Sequence, residues 1–229
     1  MAGVDPRAAS SFAALAIPMQ RALEAALDAI RAGSLGIGAV VAHADGGIVA
    51  SGRNRLHETE PGDDLIAGSS LAHAEINALA KLRFRAHEDD DLELSTTLQP
   101  CLQCLGVIRM SPIRTVNILA PDPLWIGVEQ LRRVTAFVGT RWPTIHTSPA
   151  SEWSVMALIS PTRHALAHLR IGEPWRRELP ETSALAASID PATLSGDTVA
   201  AAVSAHWDDL SSCVDEVERL AERARLSQG

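Results

Sequence analysis

The amino-acid sequence predicts an α/β fold, a mixed sheet sandwiched between helices and ending near residue 150, with residues 151–229 added as a helical extension. Three observations carry that expectation. Helix-type and strand-type patterns alternate along residues 1–150. A stripe at helical spacing marks the last segment through Val199, Val203, Trp207, Leu210, Val214, Val217 and Leu220. The chain has 229 residues, of which 46% are hydrophobic, enough for one well-buried core.

The elements follow in order. Residues 1–15, rich in Ala and Ser, receive no assignment. From Pro18, suited to a first helical turn, apolar residues recur at Met19, Leu23, Ala26, Leu27 and Ile30, and Gly33 stands where the helix should stop. Leu35 to His43 and Ile48 to Ser51 flank Asp45-Gly46-Gly47 as a hairpin. The stretch from Arg55 to Ser70 has no sustained period and, at about sixteen residues, is long for an idle connector, which suggests substrate contacts. Leu71 to Leu82 reads as a helix and Leu92 to Leu98 as a strand. Pro100 opens a further helix with Leu105 and Ile108 on its apolar face, and Val116 to Ala120 is a buried strand. Leu124 to Val134 reads as helical, with a weaker strand near Phe137 or Ile145. Beyond these, Ser151 to Arg170 is expected to be helical despite Pro161, Gly172 to Pro191 irregular, and Asp197 to Leu226 one long amphipathic stripe.

Charge and cysteine content narrow the function. With 28 acidic against 20 basic residues the formal charge is -8, which disfavours broad contact with nucleic-acid phosphates and favours a small substrate over a polymer. No segment approaches the roughly 18 to 20 uninterrupted apolar residues of a membrane span, and no basic region followed by an apolar stretch opens the chain. The expected compartment is the cytoplasm, with no membrane partner. Two of the three cysteines, Cys101 and Cys104, form one C-x-x-C pair, while Cys213 sits on the apolar stripe, where it reads as core packing. That pattern suits metal or redox chemistry in a reducing compartment.

The chemistry gathers at His73-Ala74-Glu75 and at Pro100-Cys101-Leu102-Gln103-Cys104, each at the start of a predicted helix. A lone H-x-E is common on ordinary helix surfaces, and a lone C-x-x-C also fits a thiol redox site or half of a zinc knuckle. Together they supply one imidazole and two thiolates, the three protein ligands of a catalytic zinc that leaves its fourth position to water. Cys101 and Cys104, three apart, share a helix face, and a first-turn position favours their thiolates. Glu75 can reach the metal-bound water without being a ligand, and is expected to carry protons from that water to a ring nitrogen and to the departing amine.

These residues resemble the cytidine deaminase superfamily, with its H-x-E followed by P-C-x-x-C. His73 to Leu79 and Thr97 to Gly106 are most similar to the branch holding guanine deaminases, yeast-type cytosine deaminases and tRNA adenosine deaminases, over roughly residues 18–140. The resemblance implies a three-layer α/β/α sandwich around a five-stranded mixed sheet, a homodimer or larger oligomer, and zinc at the two helix starts. It also implies substrate contacts at Asn54, which alone would read as a strand-end turn residue, and at Ala74. Trp125, beyond the fourth strand, reads either as a ring that stacks on a heterocycle or as a buried helix anchor. Gln99 departs from the Glu that many members of this branch carry before the Pro-Cys pair, and residues 151–229 match no part of the family.

The expectation is therefore a zinc-dependent hydrolytic deaminase of a free nucleobase or related amino-heterocycle, acting on a C–N bond of a cyclic amidine. Two other readings are a nucleic-acid (tRNA) adenosine deaminase, its helical tail placing the RNA, and a zinc-binding regulatory protein with a vestigial site. Arginines in the tail are interleaved with acids, which weighs against the first. The presence of Glu75 weighs against the second, because a structural zinc needs no such carboxylate.

Overall fold

A computed structural model describes residues 4–228 apart from 61, 84, 88, 89, 168, 191, 192 and 195–197. Pro191 and Asp197, which bounded two expected segments, lie outside the described residues. The chain opens with α1 (Pro6–Ala13), where the sequence alone suggested nothing. Asp5 caps it, accepting from the Arg7 backbone N–H at 2.8 Å, Pro6 starts it, and Phe12 meets the edge of Trp153 at 5.3 Å. Helix α2 (Ile17–Arg31) buries Met19, Leu23, Ala26, Leu27 and Ile30, the stripe read from the sequence, and the chain turns at Gly33 with φ 79°.

Strands β1 (Gly38–His43) and β2 (Ile48–Arg53) form the hairpin, turning through Gly46 at φ 90° while the Asp45 carboxylate accepts from the Gly47 N–H. After α3 (Ala74–Ala80) come β3 (Leu92–Leu98), α4 (Leu102–Met110) and β4 (Ile113–Ala120). A 3-10 turn (Val128–Arg133), α5 (Ala136–Thr140) and β5 (Thr144–Thr147) complete the sheet. Its order is β2-β1-β3-β4-β5, with β1 antiparallel to both neighbours and the β3-β4 and β4-β5 pairs parallel. The mixed five-stranded sheet between helices is the expected fold. The last strand falls at Ile145, and where a helix was expected over Leu124 to Val134 the backbone turns at Gly127, φ 87°, and delivers only the short 3-10 segment.

Two glycines set how closely the helices approach the sheet. A methyl added at Gly38 would lie 2.0 Å from the Ala22 carbonyl oxygen in α2, and one at Gly52 would lie 2.4 Å from the Ala78 nitrogen in α3. Gly52 pairs with Ala39, the neighbour of Gly38, so the two glycines point to opposite faces and α2 and α3 cover opposite sides of the sheet.

Helix α6 (Glu152–Leu166) runs through Pro161 and lies against β4 and β3 beside α2, with its Ser154 hydroxyl donating to the Leu119 carbonyl at 3.1 Å. Gly172 to Pro191, expected to be irregular, instead holds most of α7 (Leu169–Glu178) and all of α8 (Pro180–Ser188). The reason is a tertiary cap: the buried Glu216 carboxylate accepts from the backbone N–H groups of Glu181 and Thr182, both at 2.8 Å, at the start of α8. The final amphipathic stripe is broken into α9 (Val199–Ser204), α10 (Trp207–Ser212) and α11 (Val214–Ser227). Residues from α6 and α8 to α11 share one apolar core with the sheet, and Cys213 is buried there as expected. Among the described residues no helix is long and apolar enough to cross a membrane.

Candidate zinc and active site

Strands β2, β3 and β4 run in the same direction, so their carboxyl ends meet at one edge of the sheet. Asn54 follows β2, Cys101 follows β3 and Asp122 follows β4. Ligand sites in open α/β sheets form outside strand carboxyl ends, and here the starts of α3 and α4 arrive at the same place.

His73 is the N-cap of α3 with an extended backbone, φ -80° and ψ 151°, so its side chain is free of the helical direction that would otherwise separate it from Glu75 two residues on. Cys101 is likewise the extended N-cap of α4, and Cys104 lies in that helix's first turn, fully buried. The Cys101 and Cys104 sulfurs are 3.6 Å apart, and the His73 Nδ1 lies 3.6 Å from the first and 3.4 Å from the second. A tetrahedral zinc with Zn–S of about 2.3 Å and Zn–N of about 2.05 Å holds two sulfurs about 3.8 Å apart and a sulfur and nitrogen about 3.6 Å apart. The donor set therefore fits the ion, and among the described residues it is the one cluster of three such groups.

Glu75 is 3% exposed and brings its Oε2 to 3.4 Å from the Cys104 sulfur. Its carboxyl is raised above the ordinary range, first by burial and then by the charge of Cys101. The two thiols share a charge: hydrogen bonding from Cys104, and then from His73, lowers Cys101 to about 4, while the Cys101 thiolate and burial push Cys104 well up. His73 is raised by its contact with Cys101. The site thus places a lowered Cys101 thiol within the metal-binding set and a buried carboxyl, raised above its ordinary range, beside it.

Asn54 is 1% exposed, and its Oδ1 accepts from the Ser34 hydroxyl at 2.9 Å and the Leu56 N–H at 3.0 Å. Ser34 in turn accepts from the His57 N–H at 3.4 Å, which commits its own proton to Asn54. With its oxygen engaged twice, Asn54 has its NH2 left to offer a ligand. Ala74 is fully buried, its side chain packed in the core. Trp125 lines an apolar groove of about 440 Å³ with Leu102, Leu124, Ile126, Val128 and Leu131, beside the metal-binding set rather than within it.

The long loop after β2 is held rather than loose. Asn77 in α3 accepts from the Ile66 N–H and donates to the Ile66 and Arg53 carbonyls. Arg53 and Arg55 both engage Glu58, and the buried Asp64 takes Arg55 at 2.7 Å and Lys81 at 2.8 Å. Asp64 is spent on these partners.

Sequence reasoning passed over Asp122. Its carboxyl is 6% exposed, and burial raises it to about 7, with the charges of Cys101 and Glu75 adding to the rise. The one signal was its position between Pro121 and Pro123 directly after a strand.

The layered fold and the His-Cys-Cys set define an α/β/α protein with a donor set that fits zinc. Residues 16–120 match the cytidine and deoxycytidylate deaminase zinc-binding region. That match, to a region of the cytidine deaminase superfamily, covers somewhat less than half of the chain. It is similar to a tRNA-specific adenosine deaminase of Streptococcus pyogenes serotype M1, 29% identical over 120 residues, 51% of this chain and 64% of the relative. It is also similar to the guanine deaminase of Bacillus subtilis (strain 168), 34% identical over 93 residues, 39% of this chain and 54% of the relative. The chain thus spans less than two thirds of the length of either relative. Among solved structures, a guanine deaminase from Nitrosomonas europaea aligns with 22% identity and a TM-score of 0.44, over 64% of this chain and 87% of that one.

Proposed function

We propose that this chain is a zinc-dependent hydrolytic deaminase of a free nucleobase or related amino-heterocycle such as guanine, cytosine, isocytosine or an aminotriazine. The ring keeps its carbon skeleton, the amino group leaves as ammonia, and water supplies the oxygen that replaces it. The observation that carries the reading is Glu75, a buried carboxyl at 3.4 Å from a metal-binding sulfur in a set that is complete without it. His73, Cys101 and Cys104 would hold zinc, which would supply activation of water for attack at the amino-bearing carbon.

The residues do the rest. Glu75, its carboxyl raised by burial, carries a proton to the ring nitrogen and then to the leaving amine. The Asn54 amide donates to an acceptor on the ring edge, the Ala74 main chain borders the ring, and Trp125 gives it an apolar flank. We assign the chemistry to residues 1–150, with residues 151–229 covering the sheet. Exposed Leu71, Leu102 and Met110 near the starts and end of α3 and α4 suit a homodimer contact. Cys101 and Cys104 serving as metal ligands rather than as a disulfide suits the cytoplasm.

A second reading, a tRNA adenosine deaminase, has the streptococcal relative in its favour and the net charge of -8 against it. Purified protein is expected to carry about one zinc per chain and to release ammonia from a member of a panel of free bases, aminotriazines and nucleosides. Glu75→Gln should keep the zinc and lose about 10²- to 10⁴-fold in rate. Full activity in that variant would remove Glu75 from the mechanism, and inosine formation in tRNA without turnover of the panel would favour the second reading.

A further inference from the structure

Glu129 is 2% exposed and lies in no part of the chemistry above. Its carboxylate accepts from the Gln99 amide at 3.1 Å on one oxygen, and its other oxygen lies 3.2 Å from the Ser227 hydroxyl, which shares its one proton with the Ala224 carbonyl at 2.7 Å. Ser227 is the last residue of α11, and its carbonyl accepts from Gln130 at 2.7 Å. Gln99, 4% exposed and two residues before Cys101, also donates to the Trp125 carbonyl at 2.9 Å and accepts from the Asp122 N–H at 3.1 Å. A continuous hydrogen-bonded path therefore leads from the end of the helical extension into the segment that carries Asp122 and Trp125.

The path explains why the side chain at position 99 is an amide. Its Nε2 faces a carbonyl and a carboxylate, both acceptors, while its oxygen faces a donor. A carboxylate at 99 would satisfy only the last and would meet a second carboxylate in a buried space, an expensive arrangement.

We propose that Glu129 is a positioning residue: through Gln99 it ties the last turn of α11 to residues 121–127 and so fixes Asp122 and Trp125 beside the metal-binding set. Only the catalytic consequence of this tie rests on the deaminase reading.

The test is hydrogen exchange, read by mass spectrometry, on the zinc-loaded full chain, its Gln99→Glu and Glu129→Ala variants, and the exchanged pair Q99E/E129Q. Gln99→Glu is expected to speed exchange in peptides spanning 121–131 at least tenfold while peptides from β1 stay unchanged. Glu129→Ala, which adds no charge, should act in the same direction. The exchanged pair restores an amide facing a carboxylate and should return the peptides to within about threefold of the parent chain, the Trp125 carbonyl alone lacking its donor. Ser227→Ala should loosen the same peptides by a smaller factor. Parent-like exchange in both Gln99→Glu and Glu129→Ala, or no recovery in the exchanged pair, would overturn the proposal. Ammonia release is measured alongside: recovery of exchange in a chain inactive on the whole panel would remove the deaminase reading and leave this tie standing.

Discussion

Gly52→Ala is the substitution that most directly probes how the fold places Glu75. The added methyl would lie 2.4 Å from the Ala78 nitrogen, 2.5 Å from the Ala74 carbonyl oxygen and 2.9 Å from the Asn77 carbonyl carbon. All three are backbone atoms of α3, so no rotamer change relieves the contact, and the helix must retreat by about 1 Å to regain ordinary van der Waals distance. Overpacking of this kind costs about 1–3 kcal/mol. Helix α3 starts at the His73 cap and carries Glu75 in its first turn, so the same retreat displaces both from the cysteines. A misplacement of about 1 Å at reacting groups costs about 10²-fold in rate. Gly106→Ala is the control, because a methyl there meets nothing within 4 Å and sits inside α4. It should be neutral or stabilising by up to about 1 kcal/mol. Urea unfolding, zinc content and ammonia release measured on both variants decide the matter. A Gly52→Ala protein with parental midpoint and rate would refute the claim that the close approach of sheet and helix sets the position of Glu75.

Ser34→Ala removes the hydroxyl that fixes the Asn54 amide and should raise KM about tenfold, the worth of one oriented hydrogen bond, with kcat and zinc content nearly unchanged; an unaltered KM would show that Ser34 does not orient Asn54. For Asp122 the pH dependence has a definite direction. The folded chain keeps a proton that the unfolded chain releases between the ordinary 3.8 and about 7, so this group's contribution to stability is complete below 3.8 and lost as pH rises through about 7. Asp122→Asn should therefore flatten the loss of stability across that window in urea midpoints, and a slope equal to the parent's would contradict the burial that raises the group.

The metal-binding set was legible because each half is a local signal. His73 and Cys101 both stand at helix starts, announced by the H-x-E triplet and by Pro100. Much of the sheet was legible for a related reason, since β3, with Leu92 and Leu94 two apart, and the apolar run of β4 each carry a strand pattern within a short stretch. What escaped were relations between distant segments. The cap that makes α8 a helix comes from Glu216, 34 residues from Thr182, and no local pattern around Pro180 shows it. Nor does the loop sequence show that Arg55 and Lys81 enclose Asp64. Gln99 reads as a departure from its relatives until Glu129, 30 residues on, supplies the acceptor it serves.

The shared direction of β2, β3 and β4 has a practical side. With Asn54, Cys101 and Asp122 all at one edge of the sheet, the opposite edge carries the hairpin turn, where Asp45 and Gly47 are exposed. That turn is separated from the metal-binding set by the length of the β1 and β2 strands, six residues each. A surface linker, a fluorophore or an inserted peptide attached between His43 and Ile48 would stand at the far pole of the molecule, so the chain can be immobilised or labelled there with its pocket still facing solution.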